Sequence, residues 1–244
     1  CGSTMDWGKD VLSTAPHGTL LLSDDHATPR GRHGRQWYYQ PGELMLTYIL
    51  KPEMKHLRTT DPIHSQPLSS LFMALTNSVL NVLRTLEPNC LLKWPNDVFL
   101  YDKKVCGIIV EPVWEGSRLI AAIVGIGANI NNTFSEGGPL STIATSITMH
   151  TKQQYDLQKL RLLVSKELNA QYTRWQNSEY EYIYQQWRQA QGYMSANVTV
   201  HTNDGMLVTG IMHDVYPNGD LGLKQSDGKV RHLPFTQVAF WDVP

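Results

Sequence analysis

The sequence predicts an α+β fold, in which a mixed β-sheet packs against helices and a small β-barrel follows at the C-terminal end. Apolar runs of strand length follow one another closely between residues 91 and 126, at distances that suit antiparallel hairpins. Two long segments carry apolar residues at helical spacing. After Gly192, short alternating runs are divided by turn dipeptides. We therefore expect two domains, residues 1–192 and residues 193–244.

The N-terminal part is expected to contain two strands, a loop and a helix. Leu20–Ser23 and Leu44–Leu50 are apolar runs of strand length. The segment between them, His26–Gln40, is polar and rich in Gly and Arg, which indicates a loop. Apolar residues from Leu68 to Leu86 then recur at the spacing of one helix face.

The remaining elements follow from the same two periodicities. Four strands are expected at Leu91–Lys93, Val98–Leu100, Val105–Val113 and Leu119–Ile126, with a turn at Glu115–Ser117. Helices are expected at Leu157–Trp175 and Tyr180–Gln189. The C-terminal strands are expected around Val198–Val200, Leu207–Val208, Leu221–Leu223 and Val238–Phe240, with turns at Asn203–Gly205, Pro217–Gly219 and Asp227–Gly228.

Composition and charge exclude several classes of partner. The 244 residues are 41% hydrophobic and carry 21 Lys and Arg against 22 Asp and Glu, a formal net charge of −1. Such a balance does not indicate a nucleic-acid binder or a polybasic membrane binder. The longest nearly apolar run, Leu119 to Ile130, is far shorter than the roughly 20 residues that span a bilayer.

The cysteine and histidine content predicts neither disulfides nor a metal centre. Cys1, Cys90 and Cys106 show no CxxC spacing, and such a sparse, odd set is typical of reduced thiols in the cytoplasm. The nine histidines form no HExxH motif and no Cys/His cluster, so we expect no zinc site. The chain begins with Cys rather than Met, so the sequence does not determine whether a targeting peptide precedes it.

A first candidate site is the segment Arg30 to Trp37, which contains three arginines and two glycines. Glycine lets the backbone approach a ligand closely, and guanidinium groups bind phosphate in a bidentate manner. The pattern indicates a loop that closes on an anion. A solvated loop or a nucleic-acid contact is the alternative for this motif taken alone.

Three later segments place polar groups at strand ends. Lys93 to Asp97 (KWPND) lies between two predicted strands and would otherwise be an ordinary β-turn. In the segment Lys103 to Glu111, two lysines directly precede a predicted strand. They would either bind an anion or lie in solvent at the end of the strand. Gly107 in that strand indicates close approach to the backbone. Gly125 to Asn131 lacks the third glycine and the βαβ context of a dinucleotide fingerprint, and suits an adenine or ribose contact instead.

Taken in order, these motifs resemble the catalytic-domain pattern of the biotin protein ligases, which include the holocarboxylase synthetases. That pattern is GRGRxGRxW, KWPND, KxxGI(L/I)xE and a strand with G(x)GxN, and Ser3-Thr4 is similar to the pair that opens the family's biotin pocket. The resemblance covers Ser3 to Asn131 by motif and extends more loosely to the end of the chain. It implies a class II synthetase-like ligase fold with a C-terminal SH3-like barrel.

The resemblance also implies an activity. The enzyme would form biotinyl-5'-AMP from biotin and ATP, with Mg²⁺ arriving with ATP, and would transfer biotin to a lysine of a carboxylase biotin-carrier domain. A lipoate or octanoate ligase of the same superfamily is the alternative. A biotin-sensing DNA-binding regulator is disfavoured, because the ligase pattern begins at Ser3 and leaves no room for an N-terminal helix-turn-helix. A non-catalytic interaction module would not explain the basic motifs.

Residue roles are implied by the same resemblance, position by position. The biotin site would comprise Ser3, Thr4, Met5, His26, Arg30, Gly31, Arg32, Lys104 and Gly107. The ATP site would comprise Arg32, Arg35, Trp37, Lys93, Asn96, Asp97 and Asn129. The candidate catalytic residues are Lys104, Arg32 and Asp97, the last as proton acceptor for the carrier lysine. The sequence departs from the family pattern at His26, where Gln is usual, and at Pro29, where Gly is usual, which puts details of the biotin contact in question.

Overall fold

The computed structural model describes residues 3–22, 31, 37–52 and 66–242. Within these ranges the chain forms eleven strands in two sheets and five α-helices, so the predicted α+β fold is confirmed. None of the helices in the described part of the chain is both long and apolar enough to cross a membrane. The cytoplasmic location stays a prediction.

The larger sheet has six strands in the order β1-β2-β6-β5-β4-β3. They are β1 (Thr19–Leu21), β2 (Glu43–Leu50), β3 (Leu91–Lys93), β4 (Asp97–Leu100), β5 (Lys103–Glu115) and β6 (Arg118–Asn129). Every pair of neighbouring strands in this sheet is antiparallel among the described residues. The physical reason is that short turns join β3 to β4, β4 to β5 and β5 to β6. Strands joined by a tight hairpin turn pair in the antiparallel sense.

The long hairpin of β5 and β6 was predicted as a pair of shorter strands. Glu115 pairs with Arg118, so the strands run to the ends of the predicted turn. Gly116 has φ +58° in that turn, a left-handed conformation that favours glycine. Both strands continue through polar or small residues because pairing with β2 and β4 supplies their backbone partners.

The α-helices are α1 (Thr4–Asp10), α2 (Gln66–Leu86), α3 (Ile147–Thr151), α4 (Leu157–Gln176) and α5 (Tyr180–Gln189). The long helices cover one face of the six-stranded sheet, whereas α1 lies on the opposite face, beside Thr47 and Ile123. Helix α2 packs against α4 and α5, and its Leu71, Leu75 and Leu83 are at most 2% exposed. Each such side chain contributes roughly 1.5–3 kcal/mol through burial. The sequence analysis did not predict α1 and α3, which are too short to show a helical period.

The smaller sheet has five antiparallel strands in the order β10-β9-β8-β7-β11. They are β7 (Asn197–Thr202), β8 (Leu207–Val215), β9 (Leu221–Lys224), β10 (Val230–Leu233) and β11 (Val238–Asp242). Glycines with φ between +82° and +89° stand in the three predicted turns, at Gly205, Gly219 and Gly228. Strand β10 was not predicted because half of it is charged or polar. The SH3-like barrel and the domain division at residue 192 stay predictions.

The two sheets meet at the KWPND turn between β3 and β4. The Trp94 indole Nε1 donates a hydrogen bond to the Gly219 carbonyl at 3.0 Å, and the Trp241 Nε1 donates to the Trp94 carbonyl at 2.6 Å. Away from the turn, Arg188 of α5 binds Asp214 of β8 through two hydrogen bonds of 2.7 and 2.9 Å. These contacts bring β11 to the edge of the larger sheet beside Lys93.

Candidate active site

A cavity of about 470 Å³ lies on the face of the larger sheet that the long helices do not cover. Residues paired across neighbouring strands point to the same face, so a row of paired residues forms a continuous floor. Five such residues line the cavity, one from each of the strands β3, β4, β5, β6 and β2: Lys93, Asp97, Gly107, Gly127 and Met45. The register of the sheet therefore brings together motifs that are far apart in the sequence.

Glycines on this face of the sheet leave room for large side chains to lie against the backbone. A Cβ atom on Gly127 would lie 3.0 Å from Cε2 of Trp37, and one on Gly107 would lie 3.2 Å from Cζ3 of the same ring. A Cβ atom on Gly125 would lie 2.5 Å from Sδ of Met5, a distance that no real contact allows. The prediction that something approaches the backbone at Gly107 is confirmed, and what approaches is Trp37 together with Lys104.

A lysine and an aspartate face each other on the cavity wall. Lys104 Nζ lies 2.8 Å from Asp97 Oδ1, and the two side chains are 33% and 27% exposed. The Lys104 ammonium also lies 5.6 Å from the centre of the Trp37 ring. The backbone of Lys104 is held by Ile143, whose carbonyl accepts its N–H at 2.9 Å, and by Thr145, whose N–H donates to its carbonyl at 3.0 Å.

Three hydroxyl groups, from Ser3, Thr4 and Thr47, lie where the start of α1 packs against β2. Ser3 caps α1, since its Oγ accepts the Met5 N–H at 3.3 Å. Thr4 Oγ1 and Thr47 Oγ1 are 2.7 Å apart, and the two residues are 8% and 1% exposed. A few fixed polar groups in an otherwise apolar pocket are what orients a small molecule in a binding site.

Trp37 is tied to a buried carboxylate. Its indole Nε1 donates to Glu43 Oε2 at 2.8 Å, while the Gln40 N–H and the Asn132 Nδ2 donate to Glu43 Oε1 at 3.1 and 3.4 Å. Asn132 Nδ2 also donates to Asn129 Oδ1 at 3.2 Å. Burial raises the pKa of Glu43 from its ordinary 4.5 to about 7, and the hydrogen bonds from Trp37 and Gln40 lower it in part.

The ammonium of Lys93 lies between two aromatic rings, 4.8 Å from the centre of Phe99 and 4.7 Å from that of Trp241. Both distances suit a cation–π contact. Phe99 belongs to β4, whereas Trp241 belongs to the smaller sheet. Lys93, a candidate ATP-binding residue, therefore contacts one aromatic ring from each sheet.

All predicted site residues that the structure describes meet in this one cavity. They are Ser3, Thr4, Met5, Gly31, Trp37, Lys93, Asn96, Asp97, Lys104, Gly107 and Asn129. Asn96 turns its amide to the sheet, where Nδ2 donates to the Ile108 carbonyl at 2.5 Å, so its side chain shapes the KWPND turn. The predictions for His26, Arg30, Arg32 and Arg35 fall on residues outside the described ranges.

Sequence reasoning missed two groups of cavity residues. Met45 and Thr47 line the cavity from alternate positions of β2, and a period of two with a polar residue in an apolar strand is a signal that was present. Residues of β11 and of the segment after β6 carry no comparable signal, because only tertiary packing places them there: Val238, Phe240, Trp241, Asp242, Phe134, Leu140 and Ile143. Residues of the smaller sheet therefore form part of the wall of this cavity.

In the ranges that the structure describes, no group of three or more His, Cys, Asp or Glu side chains is arranged to hold a metal ion. Cys90 and Cys106 are both buried free thiols, and burial raises the pKa of each.

Sequence comparison relates the chain to known ligases. Residues 3–129 match the biotin/lipoate A/B protein ligase family. The bifunctional ligase/repressor BirA of Bacillus spizizenii is 32% identical over 147 residues, which cover 59% of this chain and 42% of that protein. The biotin–[acetyl-CoA-carboxylase] ligase of Paracoccus denitrificans is 27% identical over 172 residues, 68% of each chain. The chain thus spans about two fifths of the length of the Bacillus relative.

Structural comparison concerns the fold. The biotin protein ligase of Aquifex aeolicus, solved in complex with biotin and ATP, superposes with a TM-score of 0.82 at 23% sequence identity. The alignment covers 100% of this chain and 96% of that one, so both sheets are included. At this level of identity the comparison establishes a shared fold.

Proposed function

This chain belongs to the biotin/lipoate A/B protein ligase family, and from that membership we propose that it is an ATP-dependent biotin protein ligase. It forms biotinyl-5'-AMP from biotin and ATP, and then transfers biotin to a lysine of a biotin-carrier domain of a carboxylase. The named relatives support biotin as the substrate, since those from Bacillus and Paracoccus carry ligase names and the Aquifex enzyme was solved with biotin and ATP.

One observation carries the proposal: the four sequence motifs converge on a single cavity. Its volume of about 470 Å³ lies within the range of small-molecule sites, roughly 300–1,000 Å³. Its floor includes Gly107 and Gly127, its walls include aromatic rings, and its polar groups are few and separately placed. Such an arrangement suits a site that must hold two reactants in contact and exclude water.

The first half-reaction joins two anions. A carboxylate oxygen of biotin attacks the α-phosphorus of ATP, the bond to the β-phosphate oxygen breaks, and pyrophosphate leaves. The protein must offset the negative charge that accumulates at the junction, and a fixed cation in a water-poor site does this most strongly. Lys104 is our candidate for that cation, because its Nζ lies on the cavity wall and its backbone is held on both sides.

The second half-reaction consumes the adenylate. The neutral amine of the carrier lysine attacks the acyl carbon, AMP leaves, and the nitrogen gives up a proton. Asp97 is our candidate acceptor, as its carboxylate lines the cavity beside Lys104. We expect Mg²⁺ to enter with ATP, bound to the phosphates, where it supplies further positive charge.

The proposal is tested by following transfer to a carrier. Purified protein, ATP, biotin and an isolated biotin-carrier domain are incubated, and the carrier is analysed by mass spectrometry. We expect biotin on a single carrier lysine, and no product when that lysine is replaced by arginine. Lipoate is offered in parallel, since a lipoate ligase is the alternative. Transfer of lipoate in preference to biotin, or no transfer of biotin, would contradict the proposal.

A further inference from the structure

The position of Trp37 depends on a residue that the sequence motifs do not include. The indole ring lies over Gly127 and Gly107, but glycine offers no side chain that could hold it in place. The polar anchor is Glu43, which accepts the indole N–H at 2.8 Å. Glu43 is the first residue of β2 and pairs with Asn129 of β6, so its backbone belongs to the rigid sheet.

The hydrogen-bond donors around Glu43 favour a carboxylate at this position. Three N–H groups point at its two oxygens, from Trp37, Gln40 and Asn132, and an ionised carboxylate offers only acceptors. An amide at this position would place its own N–H₂ against one of those donors. The residue is 4% exposed, and the partners that the described residues supply are all neutral.

This carboxylate is costly for the fold. Burial raises the pKa of Glu43 to about 7, which means that its ionised form is destabilised by the site that holds it. An apolar residue at the start of β2 would avoid that cost. The geometry instead directs the carboxylate to the ring of Trp37, which lies over Gly107 and Gly127 beside the Lys104 ammonium.

We propose that Glu43 is a positioning residue that fixes the indole ring of Trp37 on the glycine floor and thereby sets the affinity of the site for the nucleotide. The inference rests on the proposed function, in which Trp37 serves ATP. Biotin recognition is not expected to depend on Glu43, because the hydroxyl pair of Thr4 and Thr47 belongs to α1 and the middle of β2.

The test compares variants in biotin-dependent ATP–pyrophosphate exchange. Glu43→Met has a similar length but no acceptor, and we expect it to raise the KM for ATP about tenfold, as loss of one buried hydrogen bond implies. The KM for biotin should stay within about twofold. Glu43→Gln keeps one acceptor oxygen for the indole and should lie between Glu43→Met and the unaltered protein.

A second background separates positioning from a general structural effect. Trp37→Phe keeps an aromatic ring but removes the indole N–H, and should itself raise the KM for ATP. Adding Glu43→Met to Trp37→Phe should then cause little further change, because the contact is already absent. Equal effects of Glu43→Met in both backgrounds, an unchanged KM for ATP, or an equal rise in the KM for biotin would overturn the inference.

Failure of the proposed function would be seen separately. In that case the unaltered protein shows no biotin-dependent exchange, and the same variants are compared by calorimetric titration with a non-hydrolysable ATP analogue. Weaker binding by Glu43→Met that is absent in the Trp37→Phe background supports the positioning role without reference to turnover. Unchanged binding by Glu43→Met overturns it.

Discussion

The Nζ atom of Lys104 lies 2.8 Å from Oδ1 of Asp97, so the candidate cation and the candidate proton acceptor form an ion pair. Both side chains are about one third exposed, and pairs this open to solvent contribute roughly 0–1 kcal/mol to stability. The pair therefore matters chiefly for where it holds the ammonium. Its two members come from adjacent strands, β5 and β4.

Replacing Lys104 by methionine should impair adenylation. The substitution removes the ammonium at the proposed carboxylate–phosphate junction, and loss of one such group typically lowers the rate about 100- to 1,000-fold. Pyrophosphate exchange measures the effect. Lys103→Met is the matched control, since Lys103 Nζ donates to the Ser141 carbonyl at 2.6 Å and its side chain does not line the cavity. Near-normal exchange by Lys104→Met would refute the role.

The Lys104–Asp97 pair predicts non-additive effects on the same rate. Asp97→Asn keeps the shape of the side chain but removes the charge that holds the ammonium, so adenylation should fall, though less than in Lys104→Met. Combined, the two substitutions should cost less than the sum of their separate effects by roughly 0.5–3 kcal/mol. Additive losses would show that the contact does not position Lys104.

The hydroxyl pair predicts a selective effect on biotin. Thr47→Val keeps the shape of a fully buried side chain and removes the hydroxyl group that hydrogen-bonds to Thr4. The KM for biotin should therefore rise about fivefold to tenfold. Thr47→Ser retains the hydroxyl and should stay near the unaltered value. The KM for ATP serves as the internal reference. A rise in both KM values for Thr47→Val would indicate a general disturbance of β2 instead.

The buried carboxylate of Glu43 predicts a specific pH dependence of stability. Its pKa is raised from 4.5 in the unfolded chain to about 7 in the folded protein. Between these values the unfolded state has lost the proton that the folded state retains, so stability falls as pH rises and the loss is complete above about pH 7. The shift corresponds to about 3 kcal/mol.

Glu43→Gln removes this titration, which urea unfolding at several pH values can measure. The stability of the variant relative to the unaltered protein should increase from pH 4.5 to pH 7 and then level off. Titrations of all other groups cancel in the difference. A difference that is constant across this range would mean that the pKa of Glu43 is not raised.

Local sequence patterns were sufficient for most of the fold. The run Leu91–Lys93 and the segment Tyr180–Gln189 were predicted with the bounds that the structure has, and Pro or Gly follows each within three residues. Strands β5 and β6 are longer than predicted, since their pairing extends through residues whose own propensity is weak. Register lies beyond single-sequence reasoning, and register is what places Asp97 beside Gly107, and Gly107 beside Gly127.

The candidate site was predicted where its residues lie in short motifs and missed where packing supplies them. Lys93 was predicted from KWPND, but its contact with Trp241 depends on the docking of a strand 148 residues later. Glu43 carries no motif, and its role becomes visible only when the indole of Trp37 is seen to donate to it. Both omissions are tertiary contacts between residues from different elements.

The central prediction is that this cavity activates biotin with ATP. The direct measurement is exchange of labelled pyrophosphate into ATP by the purified protein, with biotin, with lipoate and with neither. We predict exchange that requires biotin, is weak with lipoate and is lost in Lys104→Met. Equal exchange with lipoate, or no exchange with biotin, would contradict the assignment.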